Sequence, residues 1–124
     1  MSYLVAKRYV FASGISDAEV ETARVAREAI VTRMNEVLSE CVVLCLPTTA
    51  MPSRPLNESL ATRQIVQEGT YCLVSIAGTI GAPQINLPVA DVDGLPIGLS
   101  LLGPRGSDEM LMALACELES GLWN

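Results

Sequence analysis

The chain has 124 residues, of which half are hydrophobic and only 4% aromatic, and its formal net charge is −6. This length suits one small domain rather than two, and its core must be built from aliphatic side chains. The eight basic residues are scattered along the sequence, which argues against nucleic acid or an anionic membrane surface as a partner.

Residues 1–15 are predicted to form a loosely structured lead-in without the pattern of a signal peptide, and no apolar run is long enough to span a bilayer. The first helix is predicted over about 17–40. Ser16 and Glu19 have the spacing of a capping box, which satisfies backbone donors at a helix start. Its core-facing stripe is predicted to comprise Ala26, Ile30, Met34 and Val37.

An unbroken apolar run, residues 41–46, follows and stops at Pro47. Continuous hydrophobicity is typical of a strand that is covered on both faces, as in a largely parallel sheet. Three prolines in residues 47–57 exclude regular structure there. A second helix is predicted over about 58–67, with Asn57 as its N-cap.

The next stretch, residues 71–81, is apolar and contains many small residues. Two strands are predicted at about 84–89 and 97–103, and the Asp93-Gly94 pair between them is a common tight-turn signal. Ser107 is predicted to cap a last helix over about 108–120, which Gly121 ends. The inner face of this helix is predicted to comprise Leu111, Leu114, Ala115 and Leu118.

This order of elements predicts an α/β fold in which a short mixed sheet is flanked by helices. A three-stranded sheet leaves at least one edge open. The hydrophobic content also exceeds what a lone domain of this size can comfortably bury. We therefore expect the chain either to oligomerise or to form one part of a larger core.

The cysteine pattern points to a reducing compartment. The sequence has no C-x-x-C motif and no dense cysteine framework, which argues against both a zinc site and a disulfide-stabilised secreted domain. The thiols are predicted to be buried and reduced in a cytoplasmic protein. They belong to Cys41, Cys45, Cys72 and Cys116.

A self-sufficient active site is not evident. The chain has no histidine, so it cannot hold a Ser-His-Asp or Cys-His site. The G-x-S-x-G elbow is absent, and Ser100 is predicted to be an ordinary strand residue. Lys7 is the only lysine, and a base for a serine nucleophile must lie within hydrogen-bond reach of the hydroxyl. We expect Lys7 to be a surface residue and assign no catalytic residue, metal or cofactor.

Three blocks in sequence carry a resemblance to a known family. Residues 43–49 (VLCLPTT), 73–88 (LVSIAGTIGAPQINLP) and 94–103 (GLPIGLSLLG) together resemble the C-terminal signature of amidase-signature enzymes. The resemblance covers about residues 11–118 and is closest to bacterial amidases akin to plant indole-acetamide hydrolases. It implies a partial amidase-signature fold, with residues 1–124 as a single C-terminal segment of that domain.

The family resemblance implies hydrolysis of linear amides by a Ser–cis-Ser–Lys triad without metal or cofactor. The triad residues lie in the family's N-terminal and central portions, and neither pattern occurs here. The resemblance therefore implies a fragment that supplies strands and a wall of the substrate pocket, and that is inactive without its N-terminal part. A small amide would bind only to the complete enzyme.

The resemblance also assigns a substrate-binding segment, for which helix-to-sheet packing is the alternative interpretation. Small residues in this segment would permit close approach of a ligand or a loop. Tyrosine stands where relatives acting on acidic substrates have an aspartate, which indicates a more apolar or aromatic amide. The assigned residues are Tyr71, Ser75, Gly78, Thr79 and Gln84.

Two other functions remain open. The chain could be a stand-alone interaction module that self-associates through an exposed apolar surface, which normally marks a docking site. It could also be a minimal enzyme that uses Lys7 and a serine. The size of the particle in solution separates the first alternative from a fragment, and replacement of Lys7 tests the second.

Overall fold

A computed structural model describes residues 3–39 and 41–122 of the chain. Four helices and three strands occur in these residues, and the predicted α/β class is confirmed. None of the described helices is both long enough and apolar enough to cross a membrane. In chain order the elements are α1 Tyr3–Ser13, α2 Asp17–Val37, β1 Leu44–Pro47, α3 Leu60–Ile80, β2 Gln84–Val92, β3 Leu95–Leu102 and α4 Asp108–Leu122.

The strands form one sheet in the order β1-β3-β2, and both neighbouring pairs are antiparallel. The predicted turn at Asp93-Gly94 is confirmed: both residues have positive φ, of 54° and 75°, as a tight type I′ hairpin requires. The parallel pairing expected for the strand after residue 41 is wrong. β1 is an edge strand in which Leu44 and Leu46 pack on one face while Cys45 is exposed, so its continuous apolar run did not mean full coverage.

Helices cover both faces of this short sheet, as predicted. Leu101 and Leu102 are adjacent in β3 and therefore point to opposite faces. Leu101 packs with the predicted inner face of α4, where Leu111 and Ala115 are buried. Leu102 packs on the other side with Leu38, at the end of α2, and with Ile80 of α3. The molecule thus has two small cores that share the central strand.

Helix α3 is twice as long as predicted because the apolar stretch after residue 70 continues it. Its N-cap is Ser59 rather than Asn57, and the Ser59 hydroxyl accepts from the Thr62 N–H at 3.2 Å. It ends at Gly81, which adopts the left-handed conformation with φ 67°. Arg105 donates to the carbonyl oxygens of Ile80 and Gly81, which satisfies the C-terminal end of the helix.

The N-terminal helices are confirmed in part. The predicted loose lead-in is wrong from Tyr3 to Ser13, where the chain forms α1. The capping box of Ser16 and Glu19 begins α2 as predicted. The helix ends at Val37, and Glu40 lies outside the described residues.

In the predicted inner stripe of α2, Met34 alone is partly covered, and Val37 at the end of the helix is exposed. Met34 packs against the core beside Leu102, whereas Ile30 is 48% exposed and Ala26 is exposed as well. No residue within α2 is buried. Most of the apolar side of this helix therefore lacks a partner among the described residues.

Three further predictions are corrected. The four cysteines are free and exposed rather than buried, because β1 lies at the sheet edge and the other thiols project from uncovered helix faces or a loop. Helix α4 passes Gly121 and reaches Leu122. The Ser107 hydroxyl donates to the Pro104 carbonyl at 2.6 Å, so it organises the turn before α4 instead of accepting from the helix.

Candidate functional site

The central strand carries a buried polar residue, Ser100, whose side chain is 0% exposed. Its register partners are Leu46 on β1 and Asn86 on β2. Ser100 shares a face with Leu102, so it points toward the side of the sheet that α3 covers. Gly98 is the next residue on that face. A polar centre therefore adjoins the second core.

Three side chains form a hydrogen-bonded chain at this place, and we call Thr48, Asn86 and Ser100 the polar triplet. The Thr48 hydroxyl donates to Asn86 Oδ1 and lies 2.7 Å from Ser100 Oγ. A hydroxyl has one proton, so Ser100 must donate in the second bond. The order of donation is therefore Ser100 to Thr48 to Asn86, from the core toward the surface.

Gly98 provides the space for the polar triplet. A Cβ at this position would clash with Asn86 Oδ1 and would lie 2.8 Å from Thr48 Oγ1. The carbonyl of Gly98 accepts from the Thr48 N–H at 2.9 Å, which fixes the chain immediately after β1. Glycine inside a strand often marks such a close approach.

The polar triplet borders an open cavity of about 310 Å³ between the sheet, the segment after β1 and helix α3. Among the described residues, Arg54 is the only charged side chain in its lining, and Glu58 pairs with it. The cavity thus carries little net charge, and its lining is part polar and part apolar. Its lining includes Thr48, Thr49, Arg54, Thr70, Asn86 and Gly98.

A second groove of about 470 Å³ adjoins the first and shares Arg54, Val66 and Thr70 with it. Tyr71 lines this groove, and its hydroxyl accepts from Gln67 Nε2 at 2.6 Å and from Arg8 Nη2 at 2.9 Å. The Arg8 guanidinium lies 5.9 Å from the centre of the Tyr71 ring, in cation–π contact. Helix α1 is thereby attached to α3.

The residues assigned to substrate binding lie in three places. Tyr71, Ser75 and Gly78 are exposed and share one face of α3 by their helical spacing. Thr79 is half-buried and its carbonyl accepts from Arg27 Nε at 2.8 Å. Gln84 begins β2 opposite Leu102. Of the five assigned residues, Tyr71 alone lines either of the two cavities.

The sequence interpretation missed the polar triplet. Ser100 lies in a strand as predicted, but its complete burial and its hydrogen bond to Thr48 were not predicted. The available signals were a glycine and an asparagine inside predicted strands, and a threonine directly after Pro47. Lys7 is exposed on α1, and within residues 3–39 and 41–122 no hydrogen bond joins it to a serine. The same residues hold no group of three or more potential metal ligands.

The comparisons with known proteins agree with one another. The family model described as Amidase matches residues 3–112. The chain is 29% identical to "Amidase 1" of Arabidopsis thaliana over 114 residues, which is 92% of this chain and 27% of that protein. It is 30% identical to a Glutamyl-tRNA(Gln) amidotransferase subunit of Moraxella catarrhalis over 108 residues, which is 86% of this chain and 21% of that protein.

A solved structure shows the same fold. The chain matches the structure titled "Crystal structure of amidase" with a TM-score of 0.76 and 24% identity, over 98% of this chain and 29% of that one. The chain therefore spans less than a third of the length of the relatives it matches.

Proposed function

This chain belongs to the amidase family, and we propose that it forms the C-terminal part of an amidase that hydrolyses linear amides only together with an N-terminal part. The resemblance implies a Ser–cis-Ser–Lys triad, which the N-terminal part would supply. This chain would contribute strands and one wall of the substrate pocket. By this proposal it has no hydrolytic activity alone.

The observation that carries the proposal is the exposed surface of the chain. Its accessible surface is 9130 Å². A compact monomer of 13.2 kDa should expose about 6,400 Å². This excess of exposed surface is consistent with one part of a larger core. Within the described residues, that core would continue at the uncovered apolar side of α2 and at the open sheet edges, which are β1 and β2.

The substrate-pocket wall is proposed to include the five residues assigned from the resemblance. Tyr71, Ser75 and Gly78 present one face of α3 to solvent, and a Cβ at Gly78 would meet nothing within 4 Å. An open, small-residue face leaves room for a substrate or for a loop of the N-terminal part. Thr79 is half-buried near the C-terminal end of α3, and Gln84 begins β2 after that helix has ended.

We also propose a cytoplasmic location. The support is chemical: all four cysteines are exposed and free. Exposed thiols remain reduced in the cytosol, whereas oxidising compartments convert them to disulfides. Separation of cell fractions, with the chain detected by antibody, tests this; recovery in an oxidising compartment would contradict it.

The amidase proposal is tested with a chimera in which this chain replaces the matching segment of Amidase 1 of Arabidopsis thaliana. Hydrolysis of simple aryl and aliphatic amides is followed by ammonia release. We expect the chimera to hydrolyse an amide and the isolated chain to show no turnover. Turnover by the isolated chain, or a folded chimera without activity, would contradict the proposal.

A second candidate function is self-association without catalysis. The exposed apolar residues on α1 favour it, because Val10 is 73% and Phe11 75% exposed. Sedimentation of the isolated chain separates the candidates: a defined dimer that unfolds cooperatively supports an interaction module. A monomer that binds the N-terminal part of an amidase supports the fragment.

A further inference from the structure

The side-chain amide nitrogen of Asn86 is available to a ligand. Asn86 is exposed and lines the 310 Å³ cavity. Its Oδ1 accepts from Thr48, whereas its Nδ2 donates no hydrogen bond within the described part of the chain. An asparagine amide carries two N–H donors. Both of these donors are therefore free at the cavity wall.

The orientation of this amide is set by the core. Thr48 donates to Asn86 Oδ1, and Thr48 itself is held by Ser100 and by the Gly98 carbonyl. Ser100 is fully buried, so one end of the hydrogen-bonded chain is fixed. Because Oδ1 is engaged inside the polar triplet, Nδ2 is the atom presented outward. Such preorganisation reduces the entropy lost when a ligand binds.

The cavity also offers an acceptor. The Thr49 hydroxyl donates its single proton to the Met51 carbonyl at 2.8 Å, so toward a ligand it can only accept. No carboxylate of the described residues lines this cavity, and the charge of Arg54 is paired with Glu58. A donor at Asn86 and an acceptor at Thr49 match the carbonyl oxygen and the N–H group of a neutral amide. A ligand with a carboxylate or an ammonium group would therefore find no unpaired side chain of opposite charge among the described lining residues.

We infer that Asn86 is a substrate-binding residue whose Nδ2 donates to the carbonyl oxygen of a neutral amide in this cavity. The inference rests on the proposed function for the choice of an amide as ligand. It extends the pocket wall beyond the residues assigned from the family resemblance, to Asn86 within β2 and to the segment after β1. Thr48 and Ser100 are positioning residues, because they act through Asn86.

Binding to the 124-residue chain tests the inference without any need for turnover. The inference departs here from the expectation that a small amide binds only to the complete enzyme, because Asn86 and Thr49 both belong to this chain and line the same cavity. The ¹⁵N-labelled chain is titrated with benzamide, and with benzoate and benzyl alcohol as matched probes that lack a neutral amide. We expect saturable shifts of the Asn86 side-chain amide with benzamide and much weaker effects with the other two. Absence of a saturable shift, or shifts confined to the Tyr71 groove, would overturn the inference.

Variants separate the role of the amide from effects on the fold. Asn86→Asp keeps the size and the acceptor for Thr48 but removes both donors, so benzamide affinity should fall by about tenfold or more. The same change at Asn35, exposed on α2, should leave affinity unchanged. Equal affinity of Asn86→Asp and the unchanged chain would contradict the inference.

A second pair of variants keeps the test decisive if Asn86→Asp unfolds. Thr48→Val removes the donor that holds Asn86 Oδ1, whereas Thr48→Ser retains it. We expect Thr48→Val to weaken benzamide binding and Thr48→Ser to preserve it; equal effects would contradict the positioning role. In the active chimera, Asn86→Asp should raise KM more than it lowers kcat. An inactive chimera would contradict the proposed function, whereas loss or retention of benzamide binding in the Asn86 variant decides the inference about Asn86.

Discussion

The hydroxyl oxygens of Thr48 and Ser100 lie 2.7 Å apart and join the segment after β1 to a fully buried position in the central strand. This bond is made between residues 52 positions apart in the chain. Ser100 is therefore a buried polar residue in a strand whose neighbouring residues, Leu99 and Leu101, are apolar. The consequence of the bond is a defined orientation for Asn86 at the cavity wall.

The energetic coupling of this pair can be measured. Thr48→Val should lower the free energy of unfolding by about 1–3 kcal/mol, because it leaves the buried Ser100 hydroxyl without its partner. Ser100→Ala removes the hydroxyl itself and should lower it by about 1 kcal/mol. The double variant should then lose less than the sum. Urea denaturation of the four proteins checks this, and strictly additive losses would refute the coupling.

Gly98 is expected to tolerate no side chain. Gly98→Ala would force the new methyl group against the oxygens of Asn86 and Thr48, so it should destabilise the chain by about 1–3 kcal/mol. The matched change Gly78→Ala meets open space within a helix and should stabilise the isolated chain by about 1 kcal/mol. Thermal unfolding of both variants checks the contrast; equal effects would contradict it.

The same Gly78→Ala variant tests the proposed pocket wall. If the exposed face of α3 receives a substrate or a loop in the complete enzyme, the added methyl group should raise KM in the chimera while the isolated chain gains stability. Steady-state kinetics with a series of amides measures the effect. An unchanged KM for every amide would remove Gly78 from the wall.

The reactivity of the four thiols reports which surfaces of the isolated chain are exposed to solvent. Because Cys41, Cys45, Cys72 and Cys116 are all exposed, each should react with a thiol reagent in the isolated chain without denaturant. Fewer than four rapidly reacting thiols would contradict the exposed positions. Addition of the N-terminal part should slow those thiols that the interface covers, and mass spectrometry of labelled peptides identifies them.

Glu19 gives a pH signature to the start of α2. Its carboxylate accepts from the Ser16 backbone N–H and from the Ser16 hydroxyl, and these bonds lower the pKa of Glu19 below its ordinary value of 4.5. A lowered pKa means that the stabilisation is present above pH 4.5 and is lost as the pH falls through the folded-state pKa. Glu19→Gln should reduce this acid dependence, whereas Glu21→Gln should not. Circular dichroism against pH distinguishes them, and identical acid profiles would contradict the prediction.

Features set by neighbours in the chain were predictable from sequence. The capping box at Ser16, the turn at Asp93-Gly94 and the inner face of α4 depend on residues within a few positions of one another. The N-cap of α3 is an exception: the prediction placed it at Asn57, two residues before the observed Ser59. Asparagine and serine are both good capping residues, and the sequence alone does not distinguish between them.

Features set by distant contacts were not predictable. The apolar run before Pro47 has the pattern of a strand covered on both faces, and only its pairing with β3 shows that it is an antiparallel edge strand. The polar triplet joins residues 38 and 52 positions apart. The cysteines were predicted to be buried because thiols usually are, but the surfaces that would bury them are not covered by the described residues.

We propose that this chain completes an amidase core that it cannot form alone. The most direct measurement titrates the purified chain into the N-terminal part of Amidase 1 of Arabidopsis thaliana, truncated where the match begins, and follows ammonia release from an amide. We predict no activity from either part and a rise to a plateau near one equivalent of the chain. Activity of the chain alone, or no activity at any ratio when the two folded parts bind each other, would contradict the claim.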